Sequence, residues 1–283
     1  MAADAIAVLI VYSAVDPGQL RNVSLGGLEG GLARALVQLN YPIALAAAPL
    51  TLLALDALPR RAWLAGIPAI ALCLVVAWPG VVDPDDLDAK VVNVLPALGV
   101  AVAASLTVAA ALRAGAHFAP ARKRDRLRII VAVVAVLLSL PWIAAEAGLY
   151  FPQGVFLTTE LYAEPKEPPA AAVHLGHHHG FAGTLLVISA LLLSRPRLAA
   201  PTVRRLYAAL VSLMLVYGIA ILINDLWHEQ VVKRGWTSWD VPSALEPSLS
   251  RIWVVVLAVA GLVYALGFAR GDAAGPTRDN HIR

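Results

Sequence analysis

Apolar residues run almost continuously along this chain, and polar ones interrupt them at fairly even intervals. Seven apolar runs lie at about 33–55, 62–80, 91–112, 129–150, 178–194, 205–226 and 252–269. At a helical rise of about 1.5 Å per residue, each approaches the roughly 30 Å of a bilayer's hydrocarbon core. The runs are rich in Ala, Leu and Val and show no two-residue alternation. Barrel strands are therefore not expected, and an isolated strand in lipid would leave its backbone unpaired. The pattern predicts an all-α polytopic membrane protein, a bundle of seven transmembrane helices.

The organisation follows from the same pattern. Residues 1–32 form a short N-terminal segment and outer loop, 33–270 the helical domain, and 271–283 a tail. The apolar stretch 5–14 is too short to span comfortably. It reads as an interfacial or re-entrant piece, with a thin eighth membrane segment as the alternative. Met1-Ala2-Ala3-Asp4 has no basic region, so it does not read as a signal peptide. Pro165, Pro168 and Pro169 mark the clearest break, and a helix is expected from near Pro169 to Ser194, because Pro favours the first helical position.

Composition agrees with the spans. The chain has 283 residues, 59% hydrophobic and 14% charged, with a net charge of +3. Soluble domains run at about 45–50% apolar and about 25% charged. A soluble enzyme, a disordered chain and a nucleic-acid-binding domain are excluded, and no nucleic-acid partner is expected. The single Cys73 permits no intrachain disulfide, and with Met1 and Met214 the only methionines, soft ligands for Cu(I) are scarce.

Charge orients the chain. Segments 56–62, 113–128, 195–205 and 270–283 hold 15 of the 22 basic residues and only four of the 19 acidic ones. They alternate with acidic loops, as seven spans require. The positive-inside rule puts them in the cytoplasm, the C-terminus included, in a cell (plasma) membrane. The run Arg122-Lys123-Arg124-Asp125-Arg126 reads as a juxtamembrane anchor on anionic membrane lipid.

Ionisable residues inside membrane helices are costly and point to function. Counted outward from the basic ends, Glu146 lies 18 residues from Arg128, Asp225 20 from Arg205, and His178 17 from Arg195. Three helices thus bring carboxylates and imidazoles to one depth near the outer boundary. His174, His177 and His178 are spaced i, i+3, i+4, and so are Asp225, His228 and Glu229, which places each set on one helix face. Four of the seven histidines fall within His174–His179. Facing helices with such sets can build a metal site, and these ligands suit a divalent transition metal such as Zn, Fe or Mn. The expected metal ligands are His174, His177, His178, Asp225 and His228, with Glu146 and Glu229 as catalytic bases. His179 points about 100° from His178.

The run His174-x-x-His177-His178 resembles one histidine box of the membrane fatty-acid desaturases and hydroxylases over five residues. Those enzymes carry three boxes on the cytoplasmic side, whereas this chain carries one on the opposite face. His174 and His178 also resemble the His-x-x-x-His pair that seven-span hydrolases of the progestin-receptor and alkaline-ceramidase type combine with an Asp. In those proteins the pair sits in the last span, and here it precedes the fifth. Each resemblance implies metal chemistry and assigns no family.

The residues point first to a metal-dependent membrane enzyme, hydrolase or oxidoreductase, acting on a lipid or other small amphipathic substrate. Tyr150, Phe151, Trp236 and Trp239 would lie in its lid. The alternatives are a haem b electron-transfer protein using His177 or His178 with His228, a metal or proton transporter, and a metal-assembly factor. The midplane offers only uncharged polar groups, which disfavours a simple conduit. A homo-oligomer is compatible with all of these.

Overall fold

The computed structural model describes residues 2–17, 24–82, 88–115, 120–122, 124–146, 161–162, 170–171, 179–248 and 250–269. It is all-helical apart from one short extended pair. The helices are α1 (Ala2–Ala14), α2 (Gly27–Gln38), α3 (Ala44–Ala57), α4 (Trp63–Leu74), α5 (Val94–Ala114), α6 (Asp125–Leu138), α7 (Leu140–Glu146), α8 (His179–Leu193), α9 (Pro201–Trp227) and α10 (Arg251–Tyr264). Among the described residues, five helical stretches are long and apolar enough to cross a membrane: Gly27–Ala57, Arg60–Ala77, Val91–Ala114, Pro201–Val232 and Arg251–Phe268. Of the expected seven, 129–150 is broken at Ser139 into α6 and α7, and 178–194 is represented by the 15-residue α8.

The helix expected from Pro169 does not form there. Ala170–Ala171 pairs antiparallel with Leu161–Tyr162, with Leu161 opposite Ala171. The stretch 5–14 is helical within α1, which packs mainly on α2. Val8 and Tyr12, one turn apart, are its buried face, and Ile6 and Ile10 point outward.

The stretch Gly27–Ala57 is central, with 72% of its most apolar window buried, against 22% for Arg60–Ala77 and 17% for Arg251–Phe268. Ala44, Ala46, Ala47 and Ala48 give it a thin profile that neighbours approach closely. Between α2 and α3 the chain widens into a π turn, Leu39–Ile43. Pro42 sits inside it, lacking an N–H and crowding the carbonyl one turn back, and the wider turn accommodates both. The perimeter is apolar, with Leu64, Leu112 and Val254 exposed to the surroundings, as a hydrocarbon environment requires.

The tightest seam joins α8 and α9. A Cβ on Gly183 would lie 2.6 Å from the Gly218 carbonyl oxygen, and one on Gly218 would lie 2.8 Å from the Gly183 carbonyl oxygen. The two backbones touch, so only glycine fits at either position. Lower on α8, Ser194 accepts from Arg128 Nε at 2.8 Å, and Asp125 at the start of α6 bridges Arg195 and Arg128 at 3.0 Å each. The backbone N–H of Arg122, then the Arg195 and Arg128 guanidiniums, hold the Asp125 carboxyl below the usual range against some desolvation.

Two outcomes follow. Gly183→Val or Gly218→Leu should destabilise by about 1–3 kcal/mol or more through overpacking, read as a lower Tm in detergent. Gly261→Ala, where an added Cβ meets nothing within 4 Å, should be neutral or slightly stabilising. Because its native pKa is depressed, Asp125 contributes stability that is present above the unfolded carboxylate range and lost as pH falls through the native value. Asp125→Asn should therefore lower Tm at pH 7, and the gap to the wild type should narrow in acid. An equal gap at pH 7 and in acid would contradict the assignment.

Candidate functional site at the acidic end of the bundle

Loops of like charge gather at the same end. Arg122 donates to the Arg195 carbonyl, Arg195 to the Pro120 carbonyl, and the Ala199 N–H to Asp56. At the other end the Ser24 N–H donates to Asp88, and Asn224 donates to the Pro242 carbonyl. The bundle thus has a basic end and an acidic end.

At the acidic end, the Gly180 N–H donates to Asp225 Oδ2 at 2.6 Å. Gly180 lies in the first described turn of α8, and its N–H binds the carboxylate of the neighbouring helix. Asp225 is 9% exposed. Gly180 also carries the fully buried Trp142 of α7, whose ring would lie 2.4 Å from an added Cβ. One glycine therefore joins α7, α8 and α9. His179, half-buried, stands within electrostatic reach of Asp225, as do Glu229 and Lys233.

Past Asp225 the helix widens into a second π turn, His228–Val232, with the Lys233 N–H reaching the His228 carbonyl at 2.8 Å. Glu229 and Lys233 both stay on the buried side. Lys233 Nζ meets Glu229 Oε1 at 2.7 Å, with the two side chains 5% and 7% exposed. Glu229 Oε2 is buried and accepts no hydrogen bond among the described residues. His228 turns toward the rim, where its Nδ1 lies 3.3 Å from Asp240 Oδ1. Trp227 donates its Nε1 to the Trp239 carbonyl, and the two rings meet edge to face. Of the expected set, then, Asp225 and Glu229 come together on the buried face, and His228 stands beside them at the edge.

His174, His177 and His178 lie outside the described residues, as do Tyr150 and Phe151. Glu146 ends α7, one turn beyond Trp142, and its side chain also lies outside them. Among the described residues, no group of three or more His, Cys, Asp or Glu side chains is placed to hold a metal ion.

Arg34, Gln38 and Lys233 escaped the sequence reading, in which Asn40 counted only as an uncharged polar group of the midplane. Arg34 and Gln38 of α2 and Asn40 of the first π turn are each 1–2% exposed. Gln38, Asn40 and His179 line a cavity of about 10 Å³, the size of one water. The Arg34 guanidinium lies 5.0 Å from the centre of the Tyr12 ring on α1. The signal for Arg34 was a lone arginine inside an apolar run. For Lys233 it was the i, i+4, i+8 row with Asp225 and Glu229. The segment after Lys233 closes the bundle: Tyr41 and Tyr217 both donate their hydroxyls to the Leu245 carbonyl, and Ala244 is buried. Trp236 and Trp239 remain exposed.

No family model matches the chain, and no curated protein or solved structure matches it.

Removing one member of a buried pair leaves an uncompensated charge, which typically costs about 3–5 kcal/mol, whereas apolar replacement of both is often neutral. Lys233→Met should therefore lower Tm sharply, and Glu229→Leu combined with Lys233→Met should recover most of the loss. Additive losses in the double variant would show that the pair does not act as a unit.

Proposed function

We propose that this chain is an integral membrane protein that binds a divalent transition metal at its acidic end and acts there as a metal-dependent enzyme on a lipid or other amphipathic molecule. In this reading the bundle has seven spans, the basic end is cytoplasmic by the positive-inside rule, and the site faces outward.

The observation that carries the reading is the Gly180–Asp225 hydrogen bond. His178 and His177 precede Gly180 by two and three residues, so chain length alone keeps them near Asp225. The donor set joins these imidazoles, and His174, to the Asp225 carboxylate. Glu229 Oε2 is buried and accepts no hydrogen bond among the described residues, which leaves one oxygen of the Lys233-paired carboxylate for a further partner. Asp240 beside His228 Nδ1 is the kind of carboxylate partner that orients ligating imidazoles. Zn, Fe or Mn would suit these ligands. A bound metal would polarise a carbonyl or phosphoryl oxygen or activate water, with Glu229 or Glu146 as base. The exposed Trp236 and Trp239 give an amphipathic substrate an interfacial landing surface.

The metal content of detergent-purified protein tests the reading. Near-stoichiometric Zn, Fe or Mn is expected in the wild type, with loss of most of it in Asp225→Ala and in the doubly substituted His177→Ala/His178→Ala protein, both still inserted. A Soret band lost in the double variant would replace the enzyme with the haem alternative. A metal-free wild type after growth in metal-supplemented medium would overturn the metal site.

A further inference from the structure

At the basic end, far from the Asp225 site, a cavity of about 810 Å³ opens between the ends of α6, α8, α9 and α10. Seven arginines line it: 122, 124, 128, 195, 197, 204 and 205. Asp125 is the carboxylate set among them, and it is committed to Arg128 and Arg195. Arg128 spends its remaining donors on Ser194, and Arg122 donates to the Arg195 carbonyl. These residues form the frame. Arg124, Arg197 and Arg205 are exposed and pair with no carboxylate among the described residues. Arg195 Nε is buried and makes no hydrogen bond there.

The inner wall is of the opposite character. Val131, Leu191, Leu215, Ile219 and Phe268 continue the cavity from the arginines toward the apolar middle of the bundle. A soluble anion would use the arginines and leave this wall bare. A water-insoluble chain would use the wall and leave three cations unanswered. We propose that the cavity is a binding site for one anionic phospholipid of the leaflet at the basic end. The phosphate head group lies among Arg124, Arg197 and Arg205, and an acyl chain lies along the apolar wall. Basic pockets between membrane helices take such head groups, and each arginine near an anionic lipid surface strengthens association roughly fivefold. The volume falls in the roughly 300–1,000 Å³ range of small-molecule sites, enough for the head group and upper acyl chain.

The site does not depend on the metal reading, because it lies at the other end of the bundle and uses none of its residues. Its likeness to a general electrostatic anchor ends at stoichiometry: a cavity holds one lipid, whereas a charged surface attracts many weakly. Native mass spectrometry of the full chain in detergent, titrated with phosphatidylglycerol and separately with phosphatidylcholine, tests it. One phosphatidylglycerol should remain bound at collision energies that strip phosphatidylcholine, with an affinity at least about tenfold higher. Arg124→Ala/Arg197→Ala/Arg205→Ala should lose about tenfold or more in phosphatidylglycerol affinity, and the matching triple Lys variant should keep most of it. Leu191→Trp, which fills the wall without touching charge, should also expel the lipid. Millimolar inorganic phosphate or glycerol phosphate should not displace it. Equal retention of the two lipids by the wild type would overturn the proposal without any variant. Full displacement by inorganic phosphate would overturn it in favour of a free-anion site.

Discussion

A buried carboxylate cannot stand alone in an apolar bundle, and the fold answers this constraint at Asp225. The side chain is 9% exposed and takes the Gly180 N–H at 2.6 Å. The Gly180 N–H of α8 supplies the donor that this buried carboxylate needs. The arrangement requires α8 and α9 to lie close together. Gly183 and Gly218 make that approach possible, because each leaves room only for the other's carbonyl. Trp142 packs on the same Gly180, which brings the end of α7 to the same level. Thr184 of α8 donates to the Ala135 carbonyl of α6, extending the contact downward.

The two ends of the bundle manage charge differently. At the basic end, Asp125 and Asp56 hold arginines and loop N–H groups in place near water. Exposed pairs of this kind contribute little each, and their value is geometric. At the acidic end the charges are buried. Glu229 and Lys233 form a pair shielded from solvent, with Asp225 one turn away and Arg34, Gln38 and Asn40 buried on the central stretch. Such groups carry a desolvation cost that apolar residues of similar size would avoid. Their concentration at one end, beside His179 at the beginning of the described part of α8, is what motivates a cation site there. Both π turns, Leu39–Ile43 and His228–Val232, carry part of this polar region, and π turns often accompany functional sites.

Much of this was legible in the sequence. The apolar runs gave five of the long helices, and loop charge predicted which segments would meet. Counting residues from Arg205 and Arg195 put Asp225 and the start of α8 at one level, and the Gly180 hydrogen bond joins them. The rest depended on interactions that periodicity does not carry. Pro169 read as a helix start, whereas Ala170 pairs with Tyr162. The break at Ser139 has no strong local signal beyond Pro141 two residues later. Glu229 and His228 appeared to share a face with Asp225; Glu229 stays on the buried side with Lys233, whereas the contact with Asp240 takes His228 to the rim. The burial of Arg34 and Gln38 depends on tertiary packing, Arg34 lying against the Tyr12 ring of α1.

Asp225 ties α9 to the Gly180 turn of α8 through the Gly180 N–H. Hydrogen exchange measured across residues 179–184 in the wild type and in Asp225→Ala tests this most directly. The account predicts slow exchange of the Gly180 amide in the wild type and at least about tenfold faster exchange in the variant, with α5 unchanged. Equal exchange at Gly180 in the two proteins would contradict it.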